Sequence, residues 1–318
     1  MIKTIKLLLL FCFISFFANA QQSFPVNGVV DIRNDFFAFT NATIVKDATT
    51  TLQNATLIIK NGKIVSAGTN ITPPKDAVVI DCKGKYMYPS FIDLFSDYGM
   101  PATQRSPRSG VFQNLSNTKG AYGWNQAIRP ETNAVSIFTA NDDKADALRK
   151  IGFGAVVSHL HDGIARGTGV LVALGNDRDN MLVLKENVAA FYSFNKGTST
   201  QDYPTSLMGA IALLRQTYLD AQWYKSRPAT EGTNLSLEAW NNAQNIPQIF
   251  DANGKWNDLR ANNIAREFNV HYIIKGNGDE YQRIDEIKAT NATYILPINF
   301  PQAIDVQSPD DARVVTLS

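Results

Sequence analysis

Histidine and cysteine are the scarce residues of this chain: its 318 residues include three His and two Cys. Cys12 lies inside the apolar run Leu7 to Phe17, so a chain trimmed of that run keeps only Cys82 and cannot close an internal disulfide. That excludes a small disulfide-stapled scaffold, and a lone thiol in a core-bearing protein suits a bacterial periplasm. Charge of one sign is lacking as well. The formal net charge is +1, with no basic stripe that would call for nucleic acid. No apolar run reaches the roughly 20 residues that cross a bilayer. The chain also has no Gly-x-Ser-x-Gly elbow, no Gly-x-x-x-x-Gly-Lys-Ser/Thr loop and no Gly-x-Gly-x-x-Gly. A serine nucleophile on such an elbow and the two common phosphate-binding loops are therefore set aside.

What is present begins with an export signal. Lys3 and Lys6 precede the apolar run, and Ala18-Asn19-Ala20 follows it, which is the build of a secretory signal peptide over residues 1–20. The mature protein is expected to be periplasmic or extracellular. Loss of the two lysines takes the 30 basic residues to 28 against 29 acidic ones, close to neutrality. Edman sequencing of protein recovered from an exporting bacterial host is expected to start at Gln21; a soluble product that keeps Met1 would refute the assignment. Asn-x-Ser/Thr sequons occur at Asn41, Asn54, Asn70, Asn114, Asn234 and Asn291. They are read as Asn-rich composition rather than as glycosylation sites.

The chain changes character at Pro89. Residues 21–88 carry a β-sandwich-like domain whose strand signals begin at Phe36. Phe37-Ala38-Phe39, Ala42 to Val45, Thr56 to Lys60, Lys63-Ile64-Val65, Val78-Val79-Ile80 and Lys85-Tyr86-Met87 are short β-runs with no helical period. Asn61-Gly62 between two of them predicts a tight hairpin, because both turn residues must take positive φ. From Pro89 onward strands alternate with helices, which predicts a parallel α/β unit. Helices are expected over Asn141 to Lys150, Pro204 to Ser226, Asp258 to Phe268 and Glu280 to Ala289. Strands are expected at Phe91 to Ser96, Gly154 to Leu160, Pro247 to Phe250, Val270 to Lys275 and Ala292 to Pro297. Gly99 to Glu131 is a long aperiodic segment, of the kind that is functional, a lid or poorly ordered.

The join between the units resembles a known family. Val79-Ile80-Asp81-Cys82-Lys83-Gly84-Lys85-Tyr86-Met87-Tyr88-Pro89-Ser90-Phe91-Ile92-Asp93-Leu94 is similar to the segment leading into the barrel of the amidohydrolase superfamily, "hIDhxGKhhhPGhIDhHxH" with h apolar. Leu57 to Gly68 matches the hairpin upstream of it, and Pro247 to Pro297 resembles later barrel units of imidazolonepropionase-like members. The resemblance implies a β-sandwich followed by a (β/α)8 TIM-type barrel that hydrolyses non-peptide C–N bonds of a small-molecule substrate with one or two divalent metals. Only five barrel-type strands are recognisable from Pro89 on. The expectation is an incomplete barrel over residues 89–318, the front of a longer polypeptide whose missing C-terminal part would be its partner.

The residues that such a site needs are substituted. Where the family has His-x-His, this chain has Phe95-Ser96-Asp97, and its two later His positions align with Asp251 and Lys275. Phe95 cannot ligate, and a lysine among ligand positions repels a dication. Asp97, Asp251 and Lys275 could instead form a metal-free cluster of two carboxylates around an ammonium, catalytic or simply a salt bridge. His159-Leu160-His161-Asp162 ends another strand, with two imidazoles on one face. They are either a relocated site for zinc or another divalent metal, or ordinary polar residues at a strand end. His271 is read as structural. Two functions remain open: an exported amidohydrolase-family hydrolase with a degenerate metal site, and a non-catalytic binding or structural module on the same fold.

Overall fold

The computed structural model describes residues 36–104, 112–227 and 232–297. The chain divides into two compact units between Pro89 and Ser90. Residues 21–35 of the expected β-unit and residues 105–111 of the long segment lie outside the described residues, as do the signal segment and the region beyond Pro297.

The first unit is a five-stranded sheet. β1 (Phe36–Val45), β2 (Thr51–Lys60) and β3 (Lys63–Gly68) form an antiparallel meander. β4 (Val78–Asp81) and β5 (Tyr86–Met87) run parallel to β1 at successive stretches of its free edge. The expected turn is there, with Asn61 at φ 52° and Gly62 at φ 69°, the pair of left-handed residues that matches strand twist. Among the described residues this unit is one layer, around Ala42, Ile44, Ala55 and Cys82. The asparagines of four sequons, Asn41, Asn54, Asn70 and Asn291, sit at positive φ, and Asn234 caps a helix. Asn tolerates αL better than any other side-chain-bearing residue, which gives these positions a backbone reason for their identity.

The second unit supplies the site. Its strands are β6 (Phe91–Ser96), β7 (Phe153–Ser158), β8 (Ala165–Thr168), β9 (Val170–Ala173), β10 (Val183–Lys185), β11 (Ala190–Ser193), β12 (Gln248–Asp251), β13 (Tyr272–Lys275) and β14 (Thr293–Ile295). The helices longer than one turn are α1 (Asp142–Lys150), α2 (Leu207–Lys225), α3 (Leu235–Ala243), α4 (Lys255–Phe268) and α5 (Ile284–Thr290). β6 and β7 are parallel, and so are β11, β12, β13 and β14 in that order. Between the two groups runs an antiparallel ribbon, with β9 against β7 and β8 against β11. Gly169 joins β8 to β9 where a Cβ would come within 2.5 Å of the Phe191 ring. Among the described residues the barrel-type strands are thus parallel within each sheet, two in one and four in the other.

Alternation along these strands sorts the core. Tyr192, Phe250, Tyr272 and Ile274 face outward onto Leu213, Leu214 and Tyr218 of α2, Trp240 of α3 and Ile264 of α4. Val157, Phe191 and Ile249, with Phe95, Ile273 and Ile295, form a separate inward cluster. Period 2 therefore aims the strand-end residues two positions on, His159, Ser193, Asp251 and Lys275, into the same interior at the C-terminal mouth.

Several boundaries move for local reasons. The strand expected at Gly154 to Leu160 ends at Ser158, leaving His159 and His161 just past it. The helix expected from Pro204 starts at Leu207, because the Ser206 side chain accepts from the Gly209 amide and caps it there. Asn141 caps α1 as expected, accepting from Lys144 N. β8 to β11 have no counterpart in the sequence reading: each is three or four residues long, too short to show a period.

Candidate active site at the strand ends

Phe95 occupies the centre of the mouth. Its ring lies 4.6 Å from His159 and 4.7 Å from His161, centroid to centroid, and the two imidazoles are 4.2 Å apart. His159 is stacked on Phe191 at 3.6 Å with 9° between planes, and it is fully buried. The Lys275 ammonium lies 5.4 Å from the centroid of the Phe95 ring, within cation–π range. Phe95 is thus the packing centre for three of the candidate residues.

Both ring nitrogens of His159 and Nε2 of His161 are buried without a hydrogen-bond partner. Burial pushes the His159 pKa well below the ordinary range, and the neighbouring His161 and Arg166 push the same way. His161 is lowered too, by burial first and then by Arg166, against the opposing pull of Asp97, Asp251 and the Ser96 backbone. Both imidazoles are neutral at physiological pH. Their orphaned nitrogens invite a metal, but the donor set does not complete one. Among the described residues no three His, Cys, Asp or Glu side chains come together as a metal site. Two imidazoles, one pinned flat on Phe191, with two cations beside them, do not fit a divalent ion that needs three or four donors.

Asp251 does not find Lys275. It pairs with Arg166, Nη1 to Oδ2 at 3.1 Å, and the guanidinium is almost wholly buried. Arg166 also donates from Nε to the Gly163 carbonyl at 3.2 Å, which accepts from Ser193 Oγ at 3.0 Å as well. Burial draws the Arg166 pKa down, while Asp251 and Asp162 hold it up. Arg166 is the residue sequence reasoning missed. It lies on β8 in Ala-Arg-Gly-Thr, a stretch with no strand signature, and only the antiparallel pairing with β11 brings it under Asp251. Of the other sequence candidates, Asp97 follows β6 and acts on His161 through its charge. His271 is exposed at the end of β13 opposite Lys275.

Part of the long segment after Gly99 is tied to the loop after β11 by several hydrogen bonds, with the buried Gln201 at their centre. Gln201 Nε2 donates to the carbonyls of Asn114 (2.8 Å) and Trp124 (3.1 Å), and its Oε1 accepts from the Gln126 amide at 2.6 Å. Asp162, ion-paired with Arg129, accepts from both Thr198 N and Thr198 Oγ1 at 2.6 Å and ties the loop after β11 to the same rim. Between that loop, α2 and the end of β12 lies a cavity of about 430 Å³, with Arg166, Lys196 and Asp251 on its wall.

No protein-family model and no curated protein matches the chain. Solved structures do. The chain is similar to an amidohydrolase from Thermotoga maritima MSB8 at 21% identity and a TM-score of 0.63, over 85% of this chain and 73% of that one. A prolidase crystallised with N-methylphosphonate-L-proline is matched at 13% identity over 81% of this chain and 65% of that one, TM-score 0.38. A dihydroorotase is matched at 12% over 82% and 64%, TM-score 0.33. The chain spans about two thirds of the length of these last two proteins, and their low TM-scores add nothing to the first. The Thermotoga likeness is one of fold alone: over the matched part this chain is folded like that protein, with the antiparallel ribbon set within an α/β architecture of that kind.

Proposed function

We propose that this protein is an exported hydrolase of the amidohydrolase fold, acting on a non-peptide C–N bond of a small molecule at the barrel mouth with side chains in place of a metal. The observation that carries the reading is the arrangement of charge at the strand ends. Asp251 is neutralised by Arg166, and Lys275 lies over Phe95, so protein cations stand where the fold's relatives would be expected to place metal charge. Asp97 is the carboxylate left to take a proton from an attacking water, and Lys275 is the cation nearest the developing negative charge. Export rests on the Lys3/Lys6, apolar run and Ala-x-Ala order of the first 20 residues.

A panel of hydantoins, dihydropyrimidines, cyclic imides and N-acyl amino acids, assayed with and without chelator, tests this. Turnover of at least one member is expected to be indifferent to chelator and to fall ~100-fold in Asp97→Asn, the scale of a lost general base. A second reading, a non-catalytic binding module, is favoured by Phe95 itself, which fills the centre of the mouth with an inert ring. Ligand-dependent thermal stabilisation with no product from any panel member would select it.

A further inference from the structure

We infer that the cavity beside Arg166 is a subsite for a single carboxylate group of the ligand. The inference rests on the barrel-mouth site proposed above, though not on its being catalytic. Its first support is an uncommitted donor. The Arg166 side chain is 6% exposed, its Nε is taken by Gly163 O and its Nη1 by Asp251 Oδ2, and Nη2 has no hydrogen-bond partner among the described residues. Arg166 lines the cavity, so Nη2 is the nitrogen available to a ligand there. A buried guanidinium held by one monodentate carboxylate is under-compensated, and burial already draws its pKa down.

The second support is what else the wall brings to that nitrogen. Among the described residues the ionisable side chains on the wall are Arg166, Lys196 and Asp251. The Lys196 ammonium donates to the Gln201 carbonyl at 2.7 Å, which holds it on the rim. Two helices begin on this wall. Thr205, Ser206 and Leu207 bring the start of the 19-residue α2, and Asn257 lies in the first turn of the 14-residue α4. Gly254, the cap of α4, offers no side chain to its first amides. Each helix N-terminus adds roughly half a positive charge. With Nε and Nη1 already committed, the guanidinium has one nitrogen left, which suits a single planar carboxylate; a tetrahedral phosphate would ask for more donors than that one nitrogen supplies.

Calorimetric titration with N-acetylglycine, its uncharged counterpart N-acetylglycinamide and inorganic phosphate tests the inference. N-acetylglycine is expected to bind at least 10-fold more tightly than the amide and than phosphate. Asp251→Asn, which frees Arg166 from its internal anion, is expected to tighten N-acetylglycine binding about 10-fold and leave the amide unchanged. The charge-neutral pair Arg166→Gln/Asp251→Asn, chosen so that no buried charge is stranded, is expected to remove the preference for the carboxylate. Equal binding of acid and amide to the wild type, tighter binding of phosphate, or no gain in Asp251→Asn would each overturn it. Carboxylate binding without turnover of any panel compound would leave this subsite standing and defeat the hydrolase reading; turnover without carboxylate preference would do the reverse.

Discussion

Asp258→Asn is expected to stabilise the protein at pH 7 and to flatten its stability between pH 4 and 7. Asp258 lies in the first turn of α4, where an exposed carboxylate would gain about 0.3–1 kcal/mol from the helix dipole. Here burial decides otherwise. The side chain is fully buried with no hydrogen-bond partner on either oxygen, and burial raises its pKa from 3.8 to about 7, with the charges of Glu280 and Asp279 pushing the same way and Lys275 opposing them. Glu280 cannot move away: its carboxylate accepts from the Asn277 amide at 2.8 Å and the Gly278 amide at 2.9 Å. It also closes over Gly276, where a Cβ would collide with its carboxylate.

The sign follows from proton counting. Between pH 3.8 and about 7 the folded state keeps a proton that the unfolded chain has released, so stability falls as pH rises through that window and levels off above it. At about 1.4 kcal/mol per pH unit the full loss is on the order of 4 kcal/mol. An asparagine carries no charge to desolvate and can donate an N–H towards Glu280, as the protonated carboxyl would. Urea denaturation at pH 4, 5, 6 and 7 should give variant and wild type similar values at pH 4, with the variant ahead by about 2–4 kcal/mol at pH 7. A variant that is less stable at pH 7, or that keeps the wild-type slope, would show that Asp258 is held as a carboxylate.

Asp258 also shows where sequence reasoning stops. An acid in the first turn of a helix reads as a routine dipole partner, and nothing local announces that β13 and the turn after it will bury it against Glu280. Arg166 is the same lesson at the mouth: its neighbours Ala165 and Gly167 have no strand signature, and its partner Asp251 lies 85 positions away. By contrast, Asn61-Gly62, the Asn141 cap and the strand-to-helix alternation after Pro89 were legible because each is fixed within a few residues. The candidates at strand ends were legible for a related reason: period 2 carries Ile249 to Asp251 and Ile273 to Lys275 on the inward face. What the pattern could not supply was pairing, and so the ammonium expected beside Asp251 lies over Phe95 instead.

The arrangement around Phe95 leads to the last expected result, the metal content of the purified protein. Wild-type protein prepared without chelator is expected to hold well below one zinc per chain, because His159 and His161 have no third donor among the described residues and the Lys275 ammonium lies 5.4 Å from the centroid of the Phe95 ring that packs on both. An ammonium that close to a dication costs on the order of several kcal/mol even at a screened dielectric. Exchanging the obstacles for donors should reverse the outcome. Phe95→His places a third imidazole among rings that already lie 4.2 to 4.7 Å apart, and Lys275→His removes the cation while adding a fourth nitrogen. Two neutral imidazoles with orphaned nitrogens are already in the state that zinc requires, so binding would release no protons from them. The double variant is therefore expected to approach one zinc per chain and to lose it when His159 and His161 are changed to Ala. Stoichiometric zinc in the wild type, lost in His159→Ala/His161→Ala, would instead establish a working two-histidine site and end the metal-free reading. A folded double variant that takes up no zinc would show that Phe95 and Lys275 are not what keeps the ion out.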